Sequence, residues 1–239
     1  MIIMENIKKI ISPVWKFTQD IVFPPICVNC KTDIKDQSKF LCQSCFDEIQ
    51  TLSALYCPEC GARLANSESS CHRSDYVLAP ASKFFPPIPA LIHNFKYQEL
   101  VKISDILSAM LIVCLKNSNI KIDDFIITQI PLYPKKIRKR GFNQSEILAK
   151  SVANYFSLPH KHLLKRTKDN DQQAKQKDYG KRFENIKNCF QSLNAEDIAG
   201  KKIILVDDVS TSGATLAEAS RILKKYGAVK IIALVVAKA

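Results

Sequence analysis

The thirteen-residue run Ile203-Ile204-Leu205-Val206-Asp207-Asp208-Val209-Ser210-Thr211-Ser212-Gly213-Ala214-Thr215 constrains the fold of this chain more than any other stretch. Four branched apolar residues, 203–206, read as a buried strand, and Asp207 and Asp208 follow at its end. A short Ser/Thr/Gly loop then opens a helix with Leu216, Ala219, Leu223 and Tyr226 on one face and Gly227 as its stop. Strand, paired acids, small-residue loop and helix N-terminus together describe a pocket for a phosphorylated sugar. Backbone N–H groups of such a loop and first turn point at a phosphate, and the helix dipole favours the anion. Gly213 lets the backbone approach closely with no Cβ in the way. The two acids would repel a phosphate. They suit ribose hydroxyls as acceptors, and they help to hold Mg²⁺ between sugar and diphosphate. An ordinary buried strand with a Ser/Thr-rich helix cap needs neither the acids nor so small a loop. No Gly-Lys-Ser/Thr ends the turn, as a Walker A loop requires.

A chain of 239 residues, 46% of them hydrophobic, can bury one full core and carry a small appendage. Its net charge of +12 is concentrated: residues 135–187 hold 15 Lys/Arg against 5 Asp/Glu. Such a stretch suits a polyanionic partner, diphosphate or nucleic acid, or else a solvated loop. No run of about 18 apolar residues exists to span a membrane. The N-terminus lacks the unbroken apolar core and cleavage site of a signal peptide, so a cytoplasmic location is the expectation. Residues 1–23 are amphipathic, with Ile2, Ile3, Ile7, Ile10 and Ile11 around Glu5, Lys8 and Lys9, then Val14-Trp15-Lys16-Phe17 and Ile21-Val22-Phe23. They are expected to pack on the body of the protein, with a membrane surface or a partner as the alternative.

Seven of the nine cysteines fall between 27 and 71, and their spacing is regular. Cys27 and Cys30, then Cys42 and Cys45, form two CxxC knuckles that close a tetrahedron of thiolates around Zn²⁺. Metal is the better reading than disulfides in a chain without a secretion signal. Cys57, Cys60 and Cys71 begin the pattern again, but Ser74 stands where a fourth cysteine would fall. The second ribbon therefore reads as eroded, with His72 as its only offered replacement ligand. Both sites read as structural. Cys114 reads as core, and Cys189 receives no role.

In the middle of the chain, residues 98–116 read as a helix. Before it, His93, Lys96 and Tyr97 lie within five residues; His93 reads as an interior histidine, and Lys96 is the candidate. Residues 125–130 form the next strand, followed by Pro131-Leu132-Tyr133-Pro134 and then Lys135, Lys136, Arg138, Lys139 and Arg140. A strand-end loop followed by clustered cations makes a diphosphate cradle, with Lys136 and Lys139 equally readable as solvated. Asn143 with Glu146 makes a capping-box start for a helix through Phe156. From 163 to 188 apolar periodicity is lost, and Arg166, Gln172, Lys181 and Arg182 dot a polar segment that reads as a lid or nucleic-acid contact.

The run at 203–215 resembles the phosphoribosyl-diphosphate (PRPP) loop of type I phosphoribosyltransferases, with Ser212 where a second Thr is usual. Taken with the CxxC knuckles, Leu91-Ile92-His93-Asn94-Phe95-Lys96-Tyr97 and Arg140-Gly141-Phe142-Asn143-Gln144, the chain resembles the ComF family over residues 24–237. The resemblance implies an α/β, type I phosphoribosyltransferase-like doubly wound, mainly parallel sheet with a small N-terminal Cys-rich zinc-ribbon domain. Its units would be 1–23, an amphipathic segment; 24–78, the zinc ribbon; and 79–239, the phosphoribosyltransferase-like domain. It implies PRPP binding with Mg²⁺ by Asp207, Asp208, Val209, Ser210, Thr211, Ser212, Gly213, Ala214 and Thr215. The diphosphate would meet Pro131, Leu132, Tyr133, Pro134, Lys135, Lys136 and Arg138. Lys96, Arg140, Asn143, Gln144, Arg166, Gln172, Lys181 and Arg182 are the lid or nucleic-acid candidates. The implied role is uptake of single-stranded DNA in natural transformation, at the inner face of the membrane beside a DNA-translocation machinery. A phosphoribosyl transfer to a nucleobase-like acceptor is the alternative, and no general base for it is identifiable. A PRPP-sensing regulator is a third reading, for which no DNA-reading domain is visible.

Overall fold

The computed structural model describes residues 26–34, 40–64, 71–97, 102–169 and 186–239. Four runs rich in Val, Ile, Leu and Ala become strands β1 (Val77–Lys83), β2 (Phe125–Gln129), β5 (Lys202–Ser210) and β6 (Lys230–Lys238). They form one parallel sheet in the order β1-β6-β5-β2. Near-continuous apolar runs are what a parallel sheet buried on both faces requires. Alternate residues serve opposite cores. Ile204, Val206, Ile232 and Leu234 join one, and Ile203, Leu205, Ile231 and Ala233 join the other.

Helices α2 (Ile88–Tyr97), α3 (Ile103–Asn117) and α5 (Gln144–Phe156) cover the first face. Helix α6 (Ala214–Lys225) covers the second, through Leu216, Ala219 and Leu223. Tyr226 lies at its C-cap, and Gly227, with φ +89°, takes the turn that follows. Beside α6 a small antiparallel pair, β3 (Leu164–Arg166) and β4 (Phe190–Ser192), contributes Leu164 and Phe190 to that core.

Four local expectations change. Strand β5 does not end before the acids; it runs on through Asp207 and Asp208 to Ser210, because the equally long β6 continues beside it, with Asp207 opposite Val235 and Ser210 opposite Lys238. The cationic stretch after Pro134 is not a loop but a short helix, α4 (Pro134–Arg140). Proline sits at its first position, where a missing N–H costs nothing, and Gly141 at φ +81° ends it. The described part of the helix expected from 98 begins at Ile103, and 98–101 lie outside the described residues. The lid segment is not wholly irregular, since β3 occupies its start; 170–185, with Gln172, Lys181 and Arg182, lie outside the described residues.

Among the described residues the Cys-rich head carries one short helix, α1 (Gln43–Asp47), and lies along β1. Leu52 N–H donates to Ala81 O at 2.8 Å, and Tyr56 and Leu78 exchange both backbone bonds at 2.8 and 3.0 Å. The otherwise open edge of the sheet is thereby paired. Cys27, Ile34, Leu41, Cys45 and Leu55 belong to the same buried cluster as the sheet residues, so head and body share one core. Among the described residues no helix is long and apolar enough to cross a membrane. Leu234 is fully buried in β6, between two strands. Leu234→Ala should lower stability by about 2–5 kcal/mol, read as a lower urea midpoint with an unchanged slope.

Candidate functional site

The parallel strands aim their carboxyl ends at one edge of the sheet, and β5 carries its two acids there. After Ser210, residues 211–213 turn into α6, with Gly213 at φ +74° as the residue before its first turn. A Cβ on Gly213 would stand 3.2 Å from the Tyr76 hydroxyl, so glycine answers both the dihedral and the space. Ala214 N–H approaches Ser212 Oγ at 3.5 Å, and no acid lies in the helix's first turn. The α6 N–H groups thus face an edge where Thr211 is exposed and Ser212, Gly213 and Thr215 are partly exposed.

The acids are held differently. Asp207 Oδ1 accepts the Ser145 hydroxyl at 2.8 Å and the Asp208 N–H at 2.9 Å. Asp208 is buried, and its Oδ2 meets Lys96 Nζ at 2.5 Å. Burial first, and the Asp208 charge second, push the Asp207 carboxyl up to about 7 against the Ser145 bond and the Lys96 charge. Lys96 reaches this point from the last turn of α2.

The N-terminus of α5 braces the same place. Asn143 is buried; its Oδ1 accepts Ser145 N–H at 3.2 Å, and its Nδ2 donates to Ile130 O at 3.0 Å, tying the helix to the end of β2. Ile130 N–H donates in turn to Val206 O at 2.9 Å, just before the acids. The reciprocal half of the expected capping box is not made: Glu146 turns outward to Lys150 at 2.6 Å, with His162 at 3.7 Å. Phe142 stacks obliquely on Phe95 of α2, at 5.7 Å. Arg140 donates to Gln144 Oε1 at 3.3 Å, while the buried Gln144 Nε2 has no hydrogen-bond partner among the described residues.

Helix α4 buries none of its residues. Pro131 is buried behind it, Leu132 and Tyr133 are partly buried, and Lys135, Arg138 and Lys139 are exposed. Lys136 is not simply solvated: partial burial, then the charge of Arg166, bring its ammonium down to about 8, with Arg140 and Lys96 adding to the repulsion. Arg166 lies 5.6 Å from the Phe190 ring. Lys96, Lys136, Arg140 and Arg166 therefore share one positive field. His93 is exposed on the outer side of α2, not interior, because Leu91, Ile92, Asn94 and Phe95 take the buried positions. Sequence reasoning missed Ser145 and Tyr76. Ser145 could have been sought two residues after the Asn cap; Tyr76 carries no local signal.

In the head, one donor atom each from Cys27, Cys30, Cys42 and Cys45 lies within 4.8 Å of the others. Cys57, Cys60, Cys71 and His72 do the same. His72 Nδ1 is 3.3 Å from Cys71 Sγ and 3.6 Å from Cys57 Sγ, so adjacent ligands are compatible with one site. The second ribbon is not eroded; it offers a complete Cys₃His set. Zn–S bonds of about 2.3 Å separate tetrahedral sulfurs by roughly 3.8 Å, and the Cys30–Cys42 distance of 3.6 Å fits structural zinc. Cys114, by contrast, is buried against Pro80 O, as its core reading requires.

A parallel sheet with acids and a glycine turn at its carboxyl edge, fronted by two four-donor clusters, defines a zinc-ribbon protein of the phosphoribosyltransferase type. The family described as Phosphoribosyl transferase domain matches residues 143–239, and Double zinc ribbon domain matches 18–74. Competence protein F of Haemophilus influenzae is 27% identical over 219 residues, covering 86% of this chain and 93% of that protein. DNA utilization protein YhgH of Escherichia coli (strain K12) is 26% identical over 224 residues, 88% of this chain and 96% of that protein. Competence protein ComFC of Bacillus subtilis is 27% identical over 232 residues, with 89% and 87% covered. This pairing of domains, and the likeness to these relatives over most of the chain, are consistent with the ComF family.

Two outcomes follow from these sites. Elemental analysis should find one zinc ion for each cluster, and His72→Ala should lose the second while keeping the first. Asp207, whose folded pKa lies above its ordinary value of about 4, contributes stability that is complete below that value and lost as pH rises through about 7. The ligand-free protein should accordingly lose stability between about pH 4 and pH 7, and Asp207→Asn should flatten that slope in urea titrations.

Proposed function

We propose that the carboxyl edge of the sheet binds PRPP, with residues 207–215 as its ribose and 5′-phosphate pocket. The observation that carries the reading is the Asp207–Asp208 pair beside the α6 N-terminus, one acid bonded to Ser145 and the other to Lys96. Asp207 and Asp208 take the ribose hydroxyls; backbone N–H groups of 211–215, with the Thr211, Ser212 and Thr215 hydroxyls, take the phosphate. The diphosphate lies toward the turn 131–135, with Lys136 and Arg138 behind it. Two neighbouring carboxylates short of cations are a donor set that fits Mg²⁺. When bound, the ion neutralises charge on the diphosphate. The unpartnered Gln144 Nε2 supplies a further buried donor at this edge. Lys96, freed from Asp208 as the ligand arrives, turns to an anionic oxygen.

The biological role we propose is handling of single-stranded DNA during competence, beside a membrane DNA-translocation machinery at the cytoplasmic face. Support comes from relatives named for competence and DNA utilization, and from the 15 basic residues of 135–187. In this reading 24–78 is the zinc head and 79–239 the PRPP unit; Arg140 and Arg166 flank the pocket as lid or nucleic-acid contacts, with Gln172, Lys181 and Arg182 as further candidates from sequence, whereas Asn143, buried and bonded to Ile130 and Ser145, braces the fold instead. Backbone electrostatics carry the DNA affinity, which makes it salt-sensitive.

Titration calorimetry with PRPP and Mg²⁺ should give saturable binding that the Asp207→Asn, Asp208→Asn double variant reduces at least about tenfold, corresponding to roughly 1.4 kcal/mol. Unchanged affinity in a folded double variant with full zinc content refutes the pocket. Release of diphosphate on adding nucleobases or single-stranded DNA would extend the function from binding to phosphoribosyl transfer.

A further inference from the structure

Two strands across the sheet from the acids, at the β1 edge, the head and α3 bound an apolar groove. Ile106, Ala109, Met110 and Val113 recur on α3 at the spacing of a helix face that packs against a neighbour, yet Val113 is 50% exposed. Facing them are Ile49 and Phe46 of the head, the latter 52% exposed. The space between measures about 530 Å³. Among the described residues its only charged lining groups are Asp47 and Asp105, in a chain of net charge +12. A polyanion has no cation to meet among them. An apolar helix face flanked by lysines fits both the surface and the charge.

Such a segment exists in this chain. Residues 1–25 lie outside the described residues. In their sequence Ile3, Ile7, Ile10, Val14, Phe17 and Ile21 recur every three or four positions, with Lys8, Lys9 and Lys16 between them. The point of attachment is also on the page. Described structure begins at Ile26, next to Cys27, whose thiol shares a cluster spanning no more than 4.8 Å with that of Cys45. Phe46, on the groove wall, follows Cys45 directly. Residues 1–25 are thus tethered beside the groove, at an effective concentration on the order of millimolar. We propose that residues 1–23 lay their apolar face in this groove, with their lysines toward Asp47 and Asp105, and so close the seam between head and α3.

Trp15 falls about 120° around a helix from the middle of that apolar face, so the probe is Phe17→Trp in a Trp15→Phe background, whose one tryptophan reports on the docked face of this segment alone. In the full-length, zinc-loaded protein its emission should be blue-shifted and resistant to acrylamide. Val113→Asp and Ala109→Asp, both at exposed positions of α3, should each shift it to the red and raise quenching several-fold, with circular dichroism and zinc content unchanged. A probe tryptophan as open to acrylamide as a free tryptophan amide, or one indifferent to both substitutions, overturns the proposal. A blue shift that grows with protein concentration overturns it by assigning the groove to a second copy. One that appears only with phosphatidylglycerol vesicles overturns it in favour of a lipid surface.

Discussion

Two carboxylates on consecutive residues of a strand buried in the middle of a sheet are the constraint around which this structure is arranged. Neither acid can be left to the interior, because an unpaired buried charge costs several kcal/mol. The chain meets the demand at the strand's carboxyl end, where Ser145 donates to Asp207 and Lys96 pairs with Asp208. Those two partners come from different helices, α5 and α2, and each helix is aimed by its own fastening. Asn143 ties α5 to the end of β2, and Phe95 with Phe142 joins α2 to the start of α5. The cleft is therefore the meeting point of three elements, and its electrostatics remain unbalanced: one lysine serves two acids. That imbalance is what a bound cation and sugar would relieve.

The zinc head solves a different problem. A four-stranded open sheet has two edges, and β1 is one of them. Backbone bonds from residues 50–56 pair it, and apolar head residues extend the sheet's core, so folding of the head and covering of the edge are one event. Metal ligation supplies the folding energy that so short a Cys-rich segment lacks. The ribbon thereby acts on the body through packing.

Much of this was legible from residue order alone. The apolar run 203–206, the helix after Gly213 and the buried face of Leu216, Ala219 and Leu223 appear as read, because each depends on local period and on one glycine. The first Cys cluster was equally plain, since two CxxC knuckles define it by spacing. Other features were hidden because their causes are distant in sequence. The acids lie inside β5 because β6 outlasts the apolar run beside it. His72 completes the second cluster because the ribbon folds Cys57 back upon it, which spacing suggested only weakly.

The sequence by itself determined the chemistry on offer: two acids after a buried strand, a glycine turn into a helix, a block of cations and eight metal-binding donors. It did so because periodicity, turn residues and ligand types are local properties. Only the tertiary structure decided who meets whom. Lys96 reaches Asp208 across more than a hundred residues, Ser145 reaches Asp207 across 62, and Arg166 of β3 adds its charge to the burial that lowers Lys136 of α4. Those encounters follow from sheet order and from helices packed on a shared core, and charge interactions at contact range act on distance in space, not along the chain.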